Sequence, residues 1–270
     1  MHRLHLVEIE DLPWCPRWLR TCGTNVIVVF MRAIGGETVV AHRVEQALAQ
    51  TGERSIVDMG SGSGGSMPAV LDAVRAKGID CDLTLSDLYP NPAMVEHFER
   101  MGVDGLRYHP EPVDATDIGT APPGLKTMIN CFHHMPEPVA RRIVKAAVET
   151  RQPLFIYEPS NVRIPRWLWW LTLPISLPLT ALSCLLFTPL VRPMTWQQIV
   201  FTYLIPIIPL LYAWDGQVSG IRIYHPDDMR ALLDGLETDD YTWEMGRAEG
   251  PAGKAVGMYV FGYPTARPAA

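Results

Sequence analysis

Residues 56–65 read Ile56-Val57-Asp58-Met59-Gly60-Ser61-Gly62-Ser63-Gly64-Gly65. A short apolar run with strand character ends in an acid and breaks into glycines. An Ala/Val/Leu pattern over 67–77 follows and reads as a helix. Glycine serves where a backbone must turn sharply after a strand, or where a ligand must touch main chain with no Cβ in the way. A flexible linker would not be flanked on both sides by periodic apolar segments.

Outward from this turn the chain alternates. Strand Ser55–Asp58 precedes the helix over 67–77, and strand Leu83–Ser86 precedes helix Pro92–Met101. A weak strand is expected near Pro112–Val113. Strand Lys126–Asn130 then leads to helix Val139–Glu149, and strand Pro153–Tyr157 closes the series. Alternation of this kind predicts a parallel sheet with helices on both faces. Residues 1–50 read as two or three helices. His225–Leu236 reads as a helix with Pro226 in its first turn, and Tyr241–Arg247 with Ala255–Tyr263 as an antiparallel pair.

The order Asp58-x-Gly60-x-Gly62-x-Gly64 departs from the G-x-G-x-x-G of dinucleotide folds and lacks the Gly-Lys-Ser/Thr of a phosphate loop. It resembles motif I of the class I S-adenosylmethionine (SAM)-dependent methyltransferases. The resemblance implies an α/β fold with a seven-stranded, mostly parallel sheet and helices on both faces. An N-terminal helical cap and an apolar helical lid would complete it. It implies SAM as cofactor, held by Asp58, Gly60, Ser61, Gly62 and Gly64 at the first turn. Asp87 would take the ribose hydroxyls and Leu88 would lie against the adenine. Asp114 with Ala115 would meet the adenine amino group, unless Asp114 is a helix cap. Asn130 and Cys131 would present backbone to the cofactor. By this reading 1–50 is the cap, 51–160 the SAM-binding core, 161–220 a lid or membrane-interface insertion, and 221–270 the completion of the core.

Met128-Ile129-Asn130-Cys131-Phe132-His133-His134-Met135-Pro136 is similar to a strand-then-His-His segment of the same superfamily. Imidazole titrates near neutrality, so His133 or His134 could take a proton from an acceptor hydroxyl; positioning the loop is the other reading. Glu158, stopped by Pro159, either is a solvated strand end or orients the acceptor. With no further Cys, Asp or Glu nearby at ligand spacing, the histidine pair predicts no metal.

The chain has 270 residues and a net charge of −6, with lysine only at 77, 126, 145 and 254. Without a basic face, no nucleic-acid partner is expected. Five scattered cysteines (15, 22, 81, 131 and 184) and a charged N-terminus fit a reducing cytoplasm. From Trp167 to Val191 and from Pro193 to Trp214 there is no charge at all. That block could form a transmembrane hairpin, a lid over an apolar pocket, or a lid lying at a membrane surface. Prolines 174, 178, 189, 206 and 209 predict broken helices over straight spans. The expectation is therefore methyl transfer to a small or lipid-like apolar acceptor, most simply at oxygen, with peripheral contact at the inner membrane face through 167–214. A SAM-binding protein without turnover is the alternative, and a homo-oligomer is left open.

Overall fold

A computed structural model describes residues 3–160 and 164–265 of the chain. Residues 161–163, at the start of the predicted insertion, and 266–270, at the end of the predicted completion, lie outside the described residues.

Seven strands form one sheet in the order β3-β2-β1-β4-β5-β7-β6. β1 (Ser55–Met59), β2 (Asp82–Ser86), β3 (Leu106–Tyr108), β4 (Leu125–Ile129) and β5 (Leu154–Glu158) run parallel. β7 (Ala255–Pro264) is antiparallel to both β5 and β6 (Tyr241–Glu249). This is the class I methyltransferase fold. Each central strand reads as a nearly continuous apolar run because helices cover both faces of the sheet. On one face α2 (Gly36–Thr51) and α3 (Met67–Arg75) bring Val40, Val44, Leu71 and Val74 onto Ile56 and Leu83. On the other, α5 (Glu137–Glu149) and α9 (Pro226–Leu233) set Ile143, Val144 and Leu232 against Met128 and Ile156. α4 (Pro92–Met101) starts where Pro92 follows Asn91, whose side chain accepts from the Ala93 amide.

Two expectations are corrected. The third strand is Leu106–Tyr108, not the Pro112–Val113 region. Proline at 112 has no N–H for a ladder, whereas Leu106, Arg107 and Tyr108 pair with Leu83, Thr84 and Leu85. The insertion also does not break at its first two prolines. α6 (Arg166–Phe187) runs straight through Pro174 and Pro178. Prolines four residues apart lie on one helix face, so both missing donors fall on the same side. The opposite side keeps its packing through Trp169, Leu173 and Cys184. The chain does turn later. After α7 (Trp196–Ile199) and one π-helical turn, Val200–Leu204, it bends by 84° at Pro206 into α8 (Ile207–Arg222). The 25 residues Arg166–Leu190 are long and apolar enough to cross a membrane; the segment after it is a bent pair, not a second straight span.

α1 (Arg17–Ile34), α6 and α8 pack together through Leu19, Val26, Cys184, Ile208 and Leu211. Ahead of α1, residues Arg3–Asp11 form a strap ending in the 3-10 turn Ile9–Asp11.

Candidate active site

The glycine turn sits at the carboxyl end of β1, where ligands bind in open α/β sheets. Gly60, Gly62, Gly64 and Gly65 all have positive φ (75°, 54°, 101° and 53°), which explains the four glycines. A Cβ on Gly60 would stand 3.2 Å from the Cys131 sulfur, and one on Gly64 2.8 Å from the Phe98 ring. One on Gly62 would meet nothing within 4 Å. The open side of the turn is therefore at Gly62, with the backbone bare towards the cleft.

Asp58 faces inward. Its carboxylate accepts from Ser61 Oγ at 2.6 Å and Thr127 Oγ1 at 2.7 Å. Burial, chiefly, pushes it up to about 7. Ser61 Oγ in turn accepts from the Ser86 amide. Asp58 and Ser61 thus tie β1, β2 and β4 to the turn. Asp87 accepts from the Gly62 amide at 2.9 Å and the Tyr89 amide at 2.8 Å, which fixes its carboxylate beside the bare turn. Each oxygen keeps a lone pair for a diol. Leu88 is exposed next to it. Tyr108, which sequence reading missed because its strand was misplaced, donates to the Gly62 carbonyl at 2.8 Å.

Asp114 caps the turn Ala115–Thr120, its Oδ1 accepting from the Thr116 amide at 2.8 Å. Asn130 is one of two non-glycine residues with positive φ among those described (55°). This left-handed kink ends β4, where the Asn130 amide donates to the Tyr157 carbonyl at 2.8 Å. The Cys131 thiol donates to the Met59 carbonyl, and burial holds it well above the usual thiol value. It is a packing group, not a nucleophile.

The histidines lie one strand further along. His133 is buried; its Nδ1 is 2.8 Å from Glu158 Oε2, and its amide donates to Glu158 Oε1 at 2.9 Å. A carboxylate oxygen accepts, so Nδ1 is the donor nitrogen of this pair. Glu158 is therefore not a solvated strand end. It is buried and fixes the imidazole's tautomer and orientation.

What the sequence did not reveal is the strap. Glu8, fully buried, brings Oε1 to 3.9 Å from His133 Nε2 and Oε2 to 3.2 Å from His134 Nδ1. Asp11 Oδ1 is 2.9 Å from the same His134 nitrogen. Arg222, also fully buried, donates to Glu8 at 3.0 Å and to Asp11 at 2.6 Å. Asp215 accepts from the Ile9 and Glu10 amides and so pins the strap. Arg3 donates to the carbonyls of His133 and Met135. Ligand atoms of Glu8, His133 and His134 lie within 4.8 Å of one another, the acid arriving from far away in sequence. Its charge is nevertheless already matched by Arg222. These carboxylates belong to an ion-pair network.

The network has a pH signature. Burial pushes Asp215 up to about 7, as it does Asp58. For His134 burial pulls downward, but the hydrogen bond with Asp11 and the fields of Glu8, Glu10 and Asp11 prevail and raise it to about 9. Ionising the two raised carboxyls costs the folded state, so stability falls as pH rises from 3.8 to about 7. The His134 contribution is complete below 6.5 and is lost as pH rises through about 9. We expect the melting temperature to decline steadily from pH 5 to pH 9, with His134→Gln flattening the upper part. A melting temperature that rises over this range would contradict the assigned network.

No protein-family model matches the chain, and no curated protein matches it by sequence. Its fold does match solved structures. The plantazolicin methyltransferase BpumL in complex with SAH is similar at a TM-score of 0.53 and 12% identity, over 93% of this chain and 90% of that one. BpumL with a monoazolic desmethylPZN analog and SAH gives the same values. At this identity the likeness establishes the fold.

Proposed function

We propose that the chain transfers the methyl group of SAM to an oxygen of a small, apolar acceptor. The observation that carries this reading is one juxtaposition on the carboxyl ends of neighbouring strands. The bare Gly60–Gly65 turn with Asp87 on its amide stands after β1 and β2, and the His133–Glu158 pair stands after β4 and β5. The residues fit the cofactor: a Cβ-free opening at Gly62 and a carboxylate held beside it are what a ribose and a main-chain contact require. That BpumL was solved with SAH on this fold supports the same choice.

When bound, SAM supplies an activated methyl group on a sulfonium. The protein's own work is then alignment, exclusion of water and removal of one proton. Glu158 holds His133 so that Nε2 can accept the proton of the acceptor hydroxyl as the oxygen attacks. The strap shields Nε2 from bulk water. Glu8 stands 3.9 Å from that nitrogen, so the acceptor must come in beside or in place of its carboxylate. A cavity of about 200 Å³ between the start of α6 and the end of α8 offers the space. It is lined by Ile164, Trp169, Gln217 and Ile221, with Arg3 linking it to the His133 carbonyl. Beside the apolar side chains stand Arg166 and His225, so the cavity suits an acceptor with an apolar body and a polar edge.

Calorimetric titration with SAM tests the cofactor half directly. Asp87→Ala removes charge-assisted hydrogen bonds and is expected to weaken binding about ten- to a hundredfold. Unchanged affinity in a folded variant, or preference for NAD over SAM, would sink the assignment.

A further inference from the structure

The outward face of α6 and the bend after it carry a run of exposed large hydrophobic side chains. Trp167, Leu171, Ile175, Leu186 and Leu210 are each about two-thirds exposed, and Leu204 at the bend is 74% exposed. The exposed positions of α6 recur three and four residues apart, so they make one continuous stripe down the helix. Polar side chains point the other way. Thr180 accepts from Gln217 of α8 at 2.9 Å, the Thr180 hydroxyl donates to the Ser176 carbonyl, and the Ser176 hydroxyl is buried. This is the reverse of a helix that packs against a core and faces water.

We propose that this face inserts into one leaflet of a lipid bilayer, with the bend at Leu204–Leu210 entering deepest and α6 lying along the headgroup–acyl boundary. Three observations select lipid over a protein partner. First, from Leu171 to Leu186 the exposed side chains of the stripe are all leucine, isoleucine or proline and offer no hydrogen-bonding or ionic group to set a register, whereas a protein interface carries about one hydrogen bond per 100–200 Å². Second, the aromatic residues with polar handles stand at its borders. Trp167 and Trp170 are at the start of α6, and Trp196 and Tyr203 precede the bend; these are side chains that favour the headgroup level. Third, although the chain as a whole is acidic, the only charged residues described between 164 and 214 are Arg166 and Arg192. Both border the stripe, and their charge complements anionic headgroups.

Insertion as a monotopic element, not a span, follows from packing. Along α6, Trp169, Leu173 and Cys184 are buried against α8 and α1, so only one side of the helix is available to lipid. The cavity beside Trp169 opens at the start of this same helix. An acceptor dissolved in the bilayer would therefore reach it without crossing water. That last step rests on the proposed methyl transfer; the docking surface itself does not.

The test is flotation of the full chain with phosphatidylcholine vesicles containing about one-fifth phosphatidylglycerol, beside a double variant, Ile175→Glu with Leu210→Glu. Both sites are exposed, so circular dichroism and melting should match the wild type. We expect the wild type to float with the vesicles and the variant to lose at least tenfold in partitioning. A wild type that stays at the bottom of the gradient overturns the proposal. So does a stable lipid-free dimer that the same substitutions dissolve, which would assign the face to a second copy. SAM titration of the same samples separates the two readings: intact SAM binding without flotation defeats only the membrane face.

Discussion

Turnover of the His133→Ala variant is expected to fall by ~10²-fold or more while SAM affinity is unchanged. Among the described residues, His133 is the imidazole whose Nδ1 is held by a buried carboxylate on the neighbouring strand, which leaves Nε2 as the nitrogen turned to the acceptor. Glu158→Gln should lose part of the same factor, because an amide can still accept from Nδ1 but no longer stabilises the imidazolium that forms. The loss in both variants should shrink as pH rises towards the pKa of the acceptor hydroxyl, since an acceptor already ionised needs no base. His134→Gln should affect turnover much less than His133→Ala. If His133→Ala turns over at the wild-type rate with any oxygen acceptor, the pair merely positions its loop.

The second large effect is on stability. Arg222 has no exposed surface and neutralises Glu8, which has none either. Removing one partner of a buried pair leaves the other charge uncompensated, which costs about 3–5 kcal/mol. Arg222→Met should therefore lower the denaturation midpoint severely. Adding Glu8→Gln to it should recover part of the loss, because the orphaned charge is then gone. A change below ~1 kcal/mol in the single variant would mean that the strap is not packed on the histidines in solution.

The parallel core was legible because each of its signals is local. β1, β2, β4 and β5 begin and end within a residue or so of where their apolar runs predict, and the glycines mark the turn. β3 escaped notice because Leu106-Arg107-Tyr108 is too short to show a pattern, and its membership depends on β2. α6 was misread because the proline penalty was applied to each proline singly. Two prolines on one face leave the other face free to pack. The site divides in the same way. Asp87, His133 and Glu158 follow strands and could be found from strand order. Glu8, Arg3 and Arg222 could not, since they meet the histidines only through tertiary contacts. The acidic cluster Glu8-Ile9-Glu10-Asp11 was their one trace in the sequence.

Those contacts also set an order of assembly. Ile9 is 206 residues from Asp215, and Asp11 is 211 residues from Arg222, so this pairing carries one of the longest loop closures available to the chain. On a ribosome the strap emerges before the β1–β5 sheet, and Asp215 and Arg222 only after it. Until Arg222 arrives, the acids of the strap have every reason to stay hydrated, because burying them alone is costly. The cofactor half can thus be built early and the histidine half is closed late. In a refolding experiment, binding of SAM should return before the protection of the His133 and His134 amides from hydrogen exchange.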